Sequence, residues 1–173
     1  MKNRVMTGIL MMVVLAMFPV LALAGDQPEP TAAEQVKGLE GMCEASAEAR
    51  TARQEAKPLY DRLGGYEKIL ALTNEIVRLH QENPDFRLMM KYVDSEHLAK
   101  QVADFMASGT GGTATYKGRN MKAAHAHLEM TNADFLSAGG DVIKAMKNLG
   151  YGQDEIDEVV CILVSFVDQV IYE

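Results

Sequence analysis

The chain has 173 residues, with 17 lysines and arginines against 24 aspartates and glutamates, a net charge of −7. That length holds one domain plus accessories, and an acidic chain without a basic block is unsuited to nucleic acid or to an anionic membrane surface. With no Trp, few other aromatics and 12 Met, the expected core is helical and built from thin, adaptable side chains.

Residues 1–24 read as a targeting signal. Lys2 and Arg4 give a positive start, an apolar run extends from Ile9 to Leu23, and Ala22-Leu23-Ala24 precedes Gly25. This order predicts a secretory signal cleaved after Ala24. The other reading is an uncleaved anchor, because the run nearly spans a bilayer. Cleavage removes two cations and no acids, taking the net charge from −7 to −9. The mature protein is then periplasmic or secreted, free of the membrane, in a compartment where disulfides persist. Residues 25–57 begin with a Pro-containing linker, GDQPEPTAA, and continue as an arm rich in Ala, Glu, Arg and Gln. The arm has no clear apolar stripe and is expected to be a solvated helix or a flexible segment.

Over residues 58–173 helices alternate with Gly-marked breaks. Pro58 opens a helical turn that Gly64-Gly65 ends. Tyr66 to Gln81 carries Ile69, Leu70, Leu72, Thr73, Ile76 and Leu79 near helical period, Asn83-Pro84 breaks it, and Asp85 to Met90 predicts one short helix. Ser95 is expected to cap a helix to Ser108 whose apolar face is Leu98, Val102, Phe105 and Met106. The stretch GTGGTATYKGRN is too rich in Gly for regular structure. Met121 to Leu128 predicts a short helix. Thr131 caps a longer one to Leu149, with Gly139-Gly140 its weak point. Gln153 to about Ile171 predicts a last helix burying Ile156, Val159, Val160, Leu163, Phe166, Val167 and Val170 on one stripe. No strand pattern occurs, so the fold class is all-α.

The four histidines suggest chemistry. His80 ends a helical stripe and reads as a solvated helix end, and His97 lies beside its helix's apolar face. His125 and His127 are two apart, so a helix turns them about 200° from each other and they make a poor two-His metal clasp. His125 shares a face with Met121 and Leu128. A lone His on an apolar face is ordinarily a core residue, and pattern alone leaves its role open.

The segments LYDRLGG at 59–65, GG at 111–112 and TYKGRNMKAAHAHLEMTNADF at 115–135, in this order, resemble the group I truncated haemoglobins over about 113 residues, from Leu59 to Ile171. The resemblance implies a truncated two-over-two globin sandwich behind an N-terminal extension. It implies one haem b per chain, with His125 as proximal iron ligand at the end of the pattern Tyr116-x-Gly118-x-x-Met121-x-x-x-His125. Met121, Leu128, Phe135 and Leu163 are then the proximal and edge lining, Leu98, Val102 and Phe105 the distal lining, and Tyr116 a further contact. Met89 or Met90 falls where the family usually has a Phe. Two departures stand out. The family's distal Tyr and Gln fall on Val77 and Val102, and Gln101 lies one residue off the distal phase. The pocket is therefore expected to lack its polar donors, which puts efficient NO dioxygenation in doubt.

These readings predict reversible binding or sensing of O2, NO or CO, with at most slow redox turnover of NO or peroxide, and leave any redox partner unidentified. A second reading is an electron carrier with a sixth iron ligand from Met89, Met90, Met106 or His97, and a third is a haem-free helical domain. Cys161 lies off its helix's apolar stripe, in phase with Asp157, Glu158, Ser165 and Asp168, within reach of the arm that carries Cys43. A Cys43–Cys161 bridge and a pair of free or intermolecularly joined thiols both remain open.

Overall fold

The computed structural model describes residues 29–172, so the predicted signal and residues 25–28 of the linker lie outside the described residues. The regular elements are helices: α1 Ala32–Ala45, α2 Ala47–Ala56, α3 Leu59–Arg62, α4 Tyr66–Glu82, α5 Ser95–Gly109, α6 Met121–His125, α7 Asn132–Asn148, α8 Gln153–Val164 and α9 Val167–Val170, with a 3-10 turn at Met89–Tyr92. The β structure among the described residues is one isolated bridge between Met130 and Ile171. None of these helices is long and apolar enough to cross a membrane.

Two helix pairs make the body. The α4 helix buries Ile69, Leu72, Ile76, Val77 and Leu79 and packs along α5 and across α7, which in turn packs on α8. Ala99, Ala103 and Ala107 form a stripe on α5 that is 0% exposed. Side chains this small let two helix axes approach closely. The bulkier Leu98, Val102 and Phe105 occupy the neighbouring face and stay half-buried. A polar clasp joins α4 to α5: Tyr66 Oη donates to Asp104 at 2.6 Å, and Lys100, also on α5, reaches the same carboxylate at 2.7 Å. The Lys100 and then the Tyr66 hydrogen bonds hold the Asp104 carboxyl below its usual range.

Several boundaries differ from the sequence expectation. The N-cap of α5 is Asp94, whose carboxylate accepts the His97 N–H at 3.0 Å, while the Ser95 hydroxyl accepts from Gln81 at 2.7 Å. Residues 85–92 form turns and the 3-10 element rather than one α-helix, and α6 stops at His125 rather than Leu128. The last helix breaks after Val164, where the Ser165 hydroxyl donates to the Ile162 carbonyl at 2.6 Å. In contrast α7 runs unbroken through Gly139-Gly140 from a Thr131–Asp134 capping box. His80 is no solvated end. It is half-buried, with Nδ1 2.8 Å from Asp141 Oδ2 on α7 and its ring edge against Phe86.

The largest difference is the arm. It is two packed helices, starting from a Thr31–Glu34 capping box and burying Val36 and Cys43 against α7 and α8. A disulfide joins Cys43 to Cys161 across 118 residues of sequence, resolving that open pairing. One turn before Cys161, Glu158 is 5% exposed and accepts from Arg53 of α2 and Arg62 of α3, each at 2.5 Å. On the polar side of α8, Glu158 and Cys161 are thus covered by the arm, while Asp154 and Ser165 stay exposed.

Candidate functional site

The α6 helix begins where the Asn120 side chain accepts the Ala123 N–H at 2.8 Å and ends at His125. The imidazole Nδ1 lies 2.9 Å from the carbonyl oxygen of Met121, one turn back. A carbonyl only accepts, so Nδ1 carries a proton, and in the neutral imidazole Nε2 then keeps its lone pair. This is the tautomer that an Nε2 metal ligand requires, and the backbone fixes it. His125 is half-buried whereas His127 is exposed, as their angular separation predicts. Among the described residues no three His, Cys, Asp or Glu side chains converge as metal ligands. A lone imidazole with Nε2 available is a donor of the kind that can serve a metal held by a macrocycle.

The helix is held in place from its C-terminal side. Leu128 N–H bonds to the His125 carbonyl at 2.9 Å, and Glu129 takes a positive φ of 48° that turns the chain toward Thr131. Tyr172 N–H bonds to the Met130 carbonyl at 2.9 Å, and α6 packs on α9. The chain end thereby braces the segment that carries the histidine.

Three aromatic rings meet at Phe105. Phe105 of α5 lies 5.2 Å from Tyr116 and 5.5 Å from Phe166, edge to face and tilted, the arrangement ring quadrupoles favour. Phe166 was legible only as a core residue of a long helix. The break after Val164 brings it to Phe105, and the sequence signal for that break was Ser165 alone. Tyr116 Oη donates to the Arg119 carbonyl at 2.8 Å, which folds the phenol back over Gly118. A Cβ at Gly118 would overlap the phenol, so the Tyr and Gly of the motif form one steric unit.

The other candidates divide by burial. Leu98, Val102, Met121, Leu128 and Leu163 are half-buried. Met90 and Phe135 are each 8% exposed within the core cluster, while Met89 is 40% exposed on the 3-10 turn. Val77, 4% exposed, and Val102 carry no hydrogen-bond donor in their side chains. Gln101 is half-buried, and no hydrogen bond joins its amide to another described residue. Two open surface concavities of about 250 and 280 Å³ lie elsewhere, one near Lys122 and Tyr172, the other between α2 and Thr110; neither includes His125.

Two packed helix pairs and a single histidine of fixed tautomer at the end of a short helix define a globin of the shortened kind. Residues 58–171 match the bacterial-like globin family, and the chain belongs to it. It is 27% identical over 105 residues to the group 1 truncated hemoglobins of Tetrahymena pyriformis and Tetrahymena thermophila, covering 61% of this chain and 87% of each relative. The truncated hemoglobin of Tetrahymena pyriformis in its Fe(III) form superposes with a TM-score of 0.61 at 24% identity, over 67% of this chain and 100% of that one. The 2/2 hemoglobin of Synechococcus sp. PCC 7002, in the cyanomet state with covalently attached heme, gives 0.59 at 27% identity, over 65% and 94%. The chain is a group I truncated globin with the two-over-two fold, a family whose proteins bind haem and diatomic gases. The helices α1 and α2 lie outside the family match.

The Tyr116–Gly118 unit is testable without any ligand. Gly118→Ala should displace the phenol and destabilise the fold by about 1–3 kcal/mol, the usual cost of overpacking. Because the chain has no Trp, tyrosine emission reports the change directly in urea unfolding. A variant as stable as the parent would show that the ring does not need the glycine.

Proposed function

We propose that this chain is an exported globin in which His125 holds one haem b through Nε2 and a largely apolar distal wall receives a diatomic gas. The observation that carries the reading is the His125 Nδ1–Met121 carbonyl hydrogen bond of 2.9 Å. When bound, haem supplies an iron with a free coordination position for O2, NO or CO. Met121, Leu128 and Leu163 would line the proximal side and edge, with Phe135 beneath them. Leu98, Val102 and Phe105 would form the distal side, with Tyr116, Met89 and Met90 at its margins. Phe166 joins this set through its contact with Phe105. These side chains exclude water and leave the iron's surroundings dry. Bound haem would also supply any slow redox turnover of NO or peroxide at its iron, with a redox partner that is not identified.

His125→Ala should abolish or sharply weaken haem retention, read as loss of the Soret band, whereas His127→Ala should leave the spectrum intact. The opposite pattern would move the ligand to His127 and overturn the assignment.

The distal wall sets a preference. Val77 and Val102 offer only methyl groups, so they give no proton to a ligand that gains negative charge, which penalises O2 and spares CO. Val77→Tyr should slow O2 loss markedly, since one added hydrogen bond is worth about 1–3 kcal/mol in a dry site. The half-buried, unbonded Gln101 favours a second reading, in which it swings over the iron and donates. Gln101→Leu distinguishes them: O2 loss about tenfold faster or more would make Gln101 the donor and sink the apolar-wall reading. A low-spin ferrous spectrum unaffected by either change would instead point to the electron-carrier reading, with Met89, Met90, Met106 or His97 on the iron.

Export is supported by the Cys43–Cys161 disulfide, since such bonds persist in oxidising compartments. The mature chain should begin at Gly25 and be recovered from the periplasm by osmotic release; full-length chain in the membrane pellet would make the apolar run an anchor.

A further inference from the structure

The helix that carries Leu163 is gripped from its outer side. Both carboxylate oxygens of Glu158 are engaged, Oε1 by Arg53 Nε and Oε2 by Arg62 Nη2, and three residues later Cys161 is bonded to Cys43 of α1. These two anchors share one side of α8, and both residues are buried. Roughly 160° round the helix from Cys161 stands Leu163, in line with Val159 and Ile156. Phe166 follows at the break, 5.5 Å from Phe105. One side of α8 thus faces the proposed haem wall while the opposite side carries a covalent and an ionic anchor. Interiors are close-packed, so a helix pinned on one side passes any displacement straight to the other. A staple whose only effect was on the unfolded chain would serve anywhere between arm and body. This one sits two residues before Leu163.

We propose that the Cys43–Cys161 bond, together with Arg53, Arg62 and Glu158, positions the haem wall by fixing α8 where Leu163 and Phe166 close on the macrocycle. The inference rests on the reading of His125 as the haem ligand. Its residues Cys43 and Arg53 belong to the arm, outside the stretch that matches the family. The positioning is therefore a property of this chain's extension.

The test compares the mature chain with its Cys43→Ser/Cys161→Ser variant, at a temperature well below the melting point of each. Hydrogen exchange of the haem-free proteins reads α8 directly: amides of residues 162–171 should exchange about tenfold faster in the variant, while those of α4 and α5 change little. Transfer of haem to excess apomyoglobin reads the wall, and should be about tenfold faster. Reduction of the parent by a phosphine should reproduce both effects, and reoxidation should reverse them. If the double variant lacks its helical far-UV signal, Arg53→Met with the disulfide intact carries the same measurements, with haem loss about threefold faster. A lower melting temperature with unchanged exchange at 162–171 and unchanged haem loss would make the bond a staple of the fold alone and overturn the proposal. If none of the chains takes up haem, the His125 reading has failed, and the exchange data still decide whether the bond sets α8.

Discussion

A carboxylate that is 5% exposed cannot be left against apolar neighbours, and Glu158 dictates much of what surrounds it. Burying the charge is tolerable only where good geometry and enough donors replace water. Two guanidinium groups meet that demand, one from α2 and one from α3. The arm, folded back over α8, both covers Glu158 and supplies Arg53 as one of these donors, and in the same arrangement Cys43 is bonded to Cys161. The disulfide and the ion cluster then hold the same turn of helix. What would otherwise be the wet side of a terminal amphipathic helix becomes a second interior, with α1 and α2 as its lid.

The functional site depends on backbone geometry more than on unusual side chains. His125 owes its tautomer to a carbonyl of its own short helix, which acts as the orienting partner that a metal-bound imidazole commonly has. Tyr116 folds over Gly118 because nothing larger fits there. On α5 an alanine stripe handles packing against α4, and this frees Leu98, Val102 and Phe105 to serve the adjacent face. A helix that packed through its large residues would have none left for a ligand. The resulting wall is almost without hydrogen-bond donors, and its one nearby amide, Gln101, is committed to no other described residue. In the proposed site, gas selectivity would turn on that one side chain.

The sequence by itself determined the all-α class, the positions of α4, α5 and α7, the capping of α7 by Thr131 and, through a resemblance rather than through periodicity, the motif that ends at His125. Each is a local property: an apolar residue recurs every three or four positions, a cap lies within three residues of what it bonds, and a motif is contiguous. Tertiary structure decided the rest. Asp94, one residue before Ser95, is the cap, while the Ser95 hydroxyl accepts from Gln81 on another helix. His80 became a half-buried partner of Asp141, 61 residues away. Phe166 joined the site through a break that periodicity did not register. The arm's apolar stripe is short, only Val36, Leu39 and Cys43 on α1, and the rest of its hold comes from charge and a disulfide. Its partners, Glu158 and Cys161, lie more than a hundred residues further along. Periodicity records which residues a helix buries against its nearest layer. It carries no record of a second layer whose contacts are made one pair at a time across the whole length of the chain.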